Sequence, residues 1–276
     1  MKQNNTNNIA IIGAGNMGSS LIAGLIKNNH PSNKLWAADP SQEKLDYLQQ
    51  HFHIHTSQEN HLAIQAAEVI ILAVKPQMLA EVAKNLQPIL TAQPSQKPLI
   101  ISIAAGIREA NLQQWLGQQT AIVRAMPNTA AMIGCGATAL HANAHVTPAQ
   151  RNMAESILRA VGVAVWLTDE AQMDSVTALS GSGPAYFFLI MEALQEAAEQ
   201  LGLPAETARL LTLQTALGAA RMAMESETAP AELRQKVTSP GGTTEKAISV
   251  LEQKHIRDIF KQALLAAKQR SEELAG

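Results

Sequence analysis

Ile9-Ala10-Ile11-Ile12-Gly13-Ala14-Gly15-Asn16-Met17-Gly18 joins an unbroken apolar run to a G-x-G-x-x-G spacing, and Met17, Leu21, Ile22, Leu25 and Ile26 then recur at helical intervals. An apolar run without polar alternation reads as a strand buried on both faces, and recurrence every three to four residues reads as a helix with one buried side. The order is strand, glycine turn, helix. Glycines at those places permit a tight turn, close approach of the backbone to a pyrophosphate, and close packing of helix on strand. The helix start adds free N–H groups and the positive end of its dipole. Gly13, Ala14, Gly15, Asn16, Met17 and Gly18 therefore form a candidate cradle for the diphosphate of a dinucleotide.

The same grammar continues outward. Leu35–Ala38, Val69–Val74, Leu99–Ile103, Ala121–Ala125 and Val163–Leu167 are short apolar runs separated by helical stretches, one of which opens at Ser41 and runs through Gln50. Strands of this kind predict a parallel sheet covered by helices on both faces. Asp39 ends the second strand, 21 positions after Gly18. A carboxylate there can bond the ribose hydroxyls of NAD and repel the 2′-phosphate of NADP. Asp39-Pro40-Ser41 also reads as a plain turn into a helix, and Ser41 or Lys44 could accept a phosphate. Ligands of open α/β sheets bind beyond the carboxyl ends of the strands. That rule singles out Ala73-Val74-Lys75-Pro76, the loop Ser102 to Gly106 with Ala104 and Ala105, and Arg124 to Thr129 with Met126 and Asn128.

The character changes after Thr168-Asp169, which divides the chain into an α/β domain over residues 1–167 and an all-helical domain over 168–276. Ala185 to Met224 is rich in Ala and Leu, with Gly202 and Pro204 as its strong punctuation. Ala185-Tyr186-Phe187-Phe188-Leu189-Ile190-Met191 is apolar all the way round a helix. A surface helix of a monomer shows a polar face, so a partner subunit is expected there. Ser180-Gly181-Ser182-Gly183-Pro184 reads as a turn opening that helix, and Thr238-Ser239-Pro240-Gly241-Gly242-Thr243-Thr244 reads as a turn opening another that runs through Leu251. Hydroxyls and free amides at a helix start suit a small carboxylate, although N-capping alone explains either turn taken singly.

Composition excludes several functions. The 276 residues carry 21 Lys and Arg against 23 Asp and Glu, without the basic stripe of a nucleic-acid binder. The run Val69–Val74 is too short to span a bilayer, and the polar start Met1–Asn8 lacks a signal pattern. A single cysteine, Cys135, fits a reducing compartment, so a soluble cytoplasmic protein with neither nucleic-acid nor membrane partners is expected. Aromatic residues are 3% of the chain, so the core is built from Ala, Leu, Ile, Val and Met. His51, His53 and His55 alternate with Phe52 and Ile54 as in a half-exposed strand, and no metal is expected. Cys135 reads as a packed small residue.

Taken together, I-I-G-A-G-N-M-G from Ile11, A-V-K-P from Ala73, S-I-A-A-G from Ser102, R-A-M-P-N-T from Arg124, S-G-S-G-P-A-Y from Ser180 and V-T-S-P-G-G-T-T from Val237 resemble the pyrroline-5-carboxylate reductase family over nearly the whole chain. The resemblance implies a Rossmann domain followed by a helical dimerisation domain, assembled as a homodimer or a larger ring. It implies reduction of the cyclic imine L-1-pyrroline-5-carboxylate to L-proline by NADP- or NAD-type coenzymes, written NADPH and NADH in the reduced form. Carried over by position, Asn60 and Ala73–Pro76 would touch the coenzyme. Ser239, Gly242, Thr243 and Thr244 would hold the substrate, Thr244 nearest the imine nitrogen, and Glu227, in the helix ahead of that turn, would be a substrate-side acid. The chain departs at Asp39, where NADPH-preferring relatives often carry a small hydroxyl residue. A β-hydroxyacid dehydrogenase would need a lysine on the helix from Ala185, and none precedes Ala205. A non-catalytic dinucleotide sensor would leave both hydroxyl-rich turns idle.

Overall fold

The computed structural model describes residues 6–92 and 97–275. In chain order the elements begin with β1 (Ile9–Ile12), α1 (Asn16–Lys27), β2 (Leu35–Ala38), α2 (Gln42–Phe52), β3 (His55–Ser57), α3 (Asn60–Ile64), β4 (Val69–Leu72) and α4 (Pro76–Ala92). They continue with β5 (Leu99–Ser102), α5 (Glu109–Leu116), β6 (Ile122–Met126), β7 (Gly136–Ala142), α6 (Pro148–Leu158), β8 (Gly162–Trp166) and α7 (Gln172–Val176). The helical remainder is α8 (Gly183–Gln200), α9 (Ala205–Glu225), α10 (Pro230–Lys236), α11 (Thr243–Gln253) and α12 (Ile256–Leu274).

The strands form one sheet in the order β3-β2-β1-β4-β5-β6-β7-β8. Every pairing is parallel except β6 with β7. Chain order reverses between β1 and β4, the switch point at which open α/β sheets bind dinucleotides. Alternate side chains of each strand enter opposite cores, as the sheet's period of two requires. Ile9, Ile11 and Ile71 pack with Leu21, Leu25, Leu48 and Ile157 under α1, α2 and α6. Ala10, Ile12, Ile70 and Leu72 pack with Leu79, Leu86 and Leu112 under α3, α4 and α5. Both faces are covered, as the unalternating apolar runs predict.

Three expectations are corrected here. The His51–His55 alternation is not a strand. His51 lies in α2 and stacks on Tyr47 with ring centroids 4.1 Å apart, and His53 caps that helix in the left-handed region at φ 53°. Only His55 enters a strand, where it stacks on Trp36 at 4.7 Å. Cys135 is exposed rather than packed, because it sits in the connection leading into β7. Ser180-Gly181 is not an open turn but part of a π-helical segment, Thr177–Gly181, that runs on from α7. Its hydroxyls donate back to the preceding turn, Thr177 Oγ1 to Met173 O at 2.9 Å and Ser180 Oγ to Val176 O at 3.2 Å.

β7 has no counterpart in the apolar pattern. Gly136-Ala137-Thr138-Ala139-Leu140-His141-Ala142 is weak as a strand by propensity, and two paired neighbours hold it. The open end of this antiparallel pair, where β7 leaves beside the start of β6, is pinned by Asn143, whose side chain is buried. Its Oδ1 accepts Ile122 N–H at 3.1 Å and His145 N–H at 3.2 Å, while Nδ2 donates to Thr120 O at 2.8 Å.

The chain forms two compact units, one running through Ser182 and rejoined by the chain from Ala267, the other Gly183–Ala266. Within the first unit α7, continued by the π segment, packs against β7, and Ser271 Oγ on the last turns of α12 donates to Asp174 Oδ1 at 2.7 Å. Among the described residues no helix is long and apolar enough to cross a membrane. Replacing Asn143 by Ala strands Ile122 N–H and Thr120 C=O, and equilibrium urea unfolding is expected to show a loss of about 1–3 kcal/mol.

Candidate functional site: a glycine cradle and a threonine turn

In the sheet unit, β1, β2, β3, β4 and β5 all end on the same edge, and the loops that follow continue the ladder. Gly13 N donates to Ala38 O at 2.7 Å, Ala73 N to Ile12 O at 2.8 Å, and Ile103 N to Leu72 O at 3.1 Å. This register sets Gly13–Gly18, Asp39, Asn60, Ala73–Pro76 and Ala104–Gly106 side by side along one edge, with Met126 at the end of β6 beside them. A cavity of about 550 Å³ bordered by Lys97, Thr120 and His145 lies at the opposite, amino-terminal ends of β5 and β6 and includes none of these residues.

The three glycines have three separate reasons. Gly13 has φ +108°, and a Cβ there would stand 2.7 Å from Ala73 O and 3.0 Å from Val74 N. A side chain on Gly18 would overlap the Gly13 carbonyl oxygen. Gly15 differs: nothing in the protein lies within 4 Å of where its Cβ would be. The first and last glycines are needed by the protein's own backbone, and the middle one faces open space above the uncapped start of α1. That is the cradle a pyrophosphate requires.

Asp39 serves this loop directly. Its buried carboxylate accepts Ala14 N–H at 2.8 Å and Ser41 N–H at 2.9 Å, with Lys44 Nζ 3.4 Å from both oxygens. It is both the turn residue and a neighbour of the glycine loop. Asn60 begins α3 beyond β3, half-buried, and Lys75 is exposed just ahead of α4.

Two blocks that are remote in sequence meet here. Asn128 Nδ2 donates to Ser180 O at 3.0 Å and its Oδ1 accepts Ala137 N–H at 3.2 Å. A Cβ on Gly181 would come within 2.6 Å of the Met126 methyl. Asn128 and Met126 thus tie the end of β6 to the π segment, a kind of irregularity frequent at functional sites. Arg124, two residues earlier on β6, has its guanidinium 2.5 Å from Glu170 Oε1.

In the helical unit, the turn Ser239–Gly242 leads into α11. Gly241 takes φ +71°, Gly242 N donates to Ser239 O at 3.0 Å, and Gly242 is the N-cap without a side-chain cap. Thr243 and Thr244 occupy the first two helical positions, among amides that no capping side chain accepts. Glu245, overlooked in the sequence, reaches back to Gly241 N–H at 2.8 Å and fixes the turn. Its signal was legible as an acid three residues after a helix N-cap. Thr238 is spent on Arg234 O at 2.6 Å. Glu227 lies in no helix: α9 ends at Glu225, and Ser226 Oγ accepts Thr228 N–H at 3.0 Å in a tight turn that leaves Glu227 exposed in the connection to α10.

Gly15→Val is expected to leave the melting temperature near that of the parent while abolishing dinucleotide binding, because the new methyls fill ligand space and not protein space. Gly18→Ala is expected to do the reverse first, lowering the melting temperature by crowding the Gly13 carbonyl. Thermal unfolding beside a fluorescence titration with NADPH and NADH separates the two.

Comparison with known proteins covers both parts of the chain. Residues 170–274 match the family model described as pyrroline-5-carboxylate reductase dimerisation, and residues 8–106 match that described as NADP oxidoreductase coenzyme F420-dependent. The chain is 53% identical over 270 residues to the pyrroline-5-carboxylate reductase of Pseudomonas aeruginosa, spanning 98% of this chain and 97% of the relative. It is 43% identical to the Pasteurella multocida enzyme of the same name, spanning 96% and 97%. Among solved structures, a pyrroline-5-carboxylate reductase from Coxiella burnetii superposes with TM-score 0.95 at 51% identity, covering 99% of this chain and 100% of that one. The Plasmodium falciparum pyrroline carboxylate reductase, solved with NADP bound, superposes with TM-score 0.86 at 28% identity, covering 99% and 100%. With the glycine cradle, the threonine turn and these relatives agreeing across its length, the chain belongs to the pyrroline-5-carboxylate reductase family.

Proposed function

We propose that the chain reduces L-1-pyrroline-5-carboxylate to L-proline with NADPH or NADH, the closing step of proline biosynthesis, in the cytoplasm. The observation that carries this reading is the open space over Gly15 at the switch point, held between two glycines that the backbone itself requires. The sheet unit supplies the coenzyme site. Gly13–Gly18 hold the pyrophosphate, Asp39 and Asn60 flank the adenosine half, and Ala73–Pro76, Ala104–Gly106, Met126 and Asn128 border the nicotinamide half. Lys44, half-exposed beside Asp39, places a cation where a 2′-phosphate would otherwise meet a lone carboxylate, which supports use of both coenzymes.

The helical unit supplies the substrate site. The uncapped amides of Thr243 and Thr244 and the hydroxyl of Ser239 bind the carboxylate at the positive end of α11, with Gly242 allowing close approach. Glu227 is the acid on the substrate side. A protonated imine is already an electrophile, so no Lys, His or metal is required to polarise it. When bound, the reduced nicotinamide supplies the hydride that forms the new C–H bond, and the C=N π pair becomes the amine lone pair. The protein's task is orientation, which can lower a barrier by several kcal/mol, up to about 7–11. The Thr244 hydroxyl orients the ring through its nitrogen.

The assembly is a homodimer, or a larger ring built from dimers. Phe187, Phe188 and Leu189 on α8 are 63, 66 and 64% exposed in the single chain, although successive residues point in different directions around a helix. α8 packs with α9, so an apolar surface on several sides remains for a second copy. A solution mass by light scattering of at least twice 29.5 kDa is expected, and a monomer would defeat the reading of this surface.

Oxidation of NADPH and NADH followed spectrophotometrically with pyrroline-5-carboxylate tests the activity itself. In the same assay Thr244→Ala should lower kcat/KM by about 10- to 100-fold, the worth of one hydrogen bond made in the transition state, with coenzyme affinity unchanged. An unchanged rate at subsaturating substrate would reduce that hydroxyl to a helix-start residue.

A further inference from the structure

A half-buried charged cluster lies under the carboxyl edge of the sheet, within the sheet unit. Cross-strand register aligns Ser102 of β5 with Arg124 of β6, and Arg124 with His141 of β7. Their side chains emerge on the face that carries Ile100 and Ile122, the one covered by α5. Two acids close over this row. Glu109 is the first residue of α5, and Glu170 comes from the connection between β8 and α7. Glu170 Oε1 accepts the Arg124 guanidinium at 2.5 Å and the backbone N–H of Glu109 at 2.6 Å. His141 Nδ1 is 3.7 Å from Glu109 Oε2.

The position of that second hydrogen bond in the chain is what matters. Glu109 N–H ends the segment Ile103–Arg108, which begins on β5 and carries Ala104, Ala105 and Gly106. The segment is held at its start by Ile103 N to Leu72 O at 3.1 Å. Gly106, at φ +74°, lies against the Leu274 backbone, where a Cβ would stand 3.4 Å from the carbonyl oxygen. Its far end is held by Glu170. One carboxylate oxygen therefore couples the loop beside the coenzyme site to the rigid strand β6 through Arg124.

We propose that Glu170 is a positioning residue of the coenzyme site, setting the Ala104–Gly106 loop by clamping the Glu109 amide to Arg124. This rests on the reading of the sheet edge as a dinucleotide site. A simple surface ion pair would not need to share its oxygen with a backbone amide 61 positions away. Burial raises the pKa of Glu109, and the Glu170 charge raises it further, against the opposing pull of His141, Arg124 and His145. Glu170 faces the guanidinium of Arg124.

The test sets coenzyme affinity against substrate KM in Glu170→Ala and Glu170→Gln. Glutamine retains an oxygen that can accept the Glu109 amide, and alanine retains none. Glu170→Ala is expected to raise the NADPH dissociation constant about tenfold, and Glu170→Gln less than about threefold, with the KM for pyrroline-5-carboxylate changed less than about twofold in both. A lowered melting temperature in Glu170→Ala with coenzyme affinity unchanged would overturn the proposal and leave the cluster purely structural. Should Glu170→Ala fail to fold, Glu109→Pro set against Glu109→Ala asks the same question. Both lack the carboxylate, and only proline lacks the N–H. Proline is tolerated at a first helical position, and Arg108 already has the extended backbone a following proline demands (φ −80°, ψ 156°). Equal coenzyme affinity in that pair would equally overturn the clamp. Failure of the underlying site reading shows up differently, as coenzyme binding that survives Gly15→Val.

Discussion

Backbone meets backbone at the end of β1, and the rest of the sheet unit is arranged around that contact. The Gly13 amide bonds Ala38 O on one side, its Cα faces Ala73 and Val74 on the other, and its carbonyl oxygen occupies the place where residue 18 would carry a side chain. Neighbouring strands, the turn and the first helix can approach this closely only because two glycines give up their side chains. The gain is geometric. Three loops from β1, β4 and β5 start from a common register, and the ends of β2 and β3 join the same edge. A ligand as long as a dinucleotide needs such a continuous edge, since its two halves must be held at a fixed separation.

Charge inside this unit is placed where it fastens loops. Asp39 does so for the glycine turn, through Ala14 and Ser41, and Glu170 does so for the loop ahead of α5. Neither carboxylate sits in the apolar layers proper. Each lies at the rim of the sheet, where the last backbone amides of the turns would otherwise go unpaired. Withdrawing a carboxylate from water costs several kcal/mol, and hydrogen bonds to N–H groups and a cation offset it only when geometry is good. Distances of 2.5–2.9 Å at these amides and at Arg124 meet that condition. The helical unit uses ions differently. Glu252 on α11 draws Arg257 to 2.7 Å and Arg234 of α10 to 3.4 Å, linking successive helices around the turn that presents Thr243 and Thr244.

The two units also differ in how completely the chain by itself can satisfy them. The sheet unit buries Ile, Leu and Val from both faces to near-zero exposure, while α8 and α9 leave Phe187, Phe188, Leu210, Leu211 and Leu217 in water. A helix pair has only one shared face, so residues on the far sides need a third body. The agreement of residues 170–274 with a dimerisation family points the same way.

Local patterns carried the parts of this protein that local physics decides. The apolar runs of β1, β2, β4, β5, β6 and β8, the glycine turn, the start of α11 at Thr243 and the break at Gly202 and Pro204 all follow from propensity, period and backbone freedom within a few neighbouring residues. The need for Gly18 was equally legible, because its close contact is with the carbonyl of Gly13 five residues earlier, while Gly13 itself is required by Ala73 of a distant strand end. Tertiary structure decided the rest. β7 exists because β6 and β8 flank it, the histidines near residue 53 are divided between a helix, a cap and a strand by the end of α2, and the chain through Ser182 joins the sheet because α7 packs there. Glu170 carries no signal in the sequence, since its partners Arg124 and Glu109 are 46 and 61 positions away. Asn128 meeting Ser180 across 52 positions is the same case. A hydrogen bond between distant residues depends on where two elements come to rest, and that follows from packing the whole sheet, not from the residues on either side of each partner.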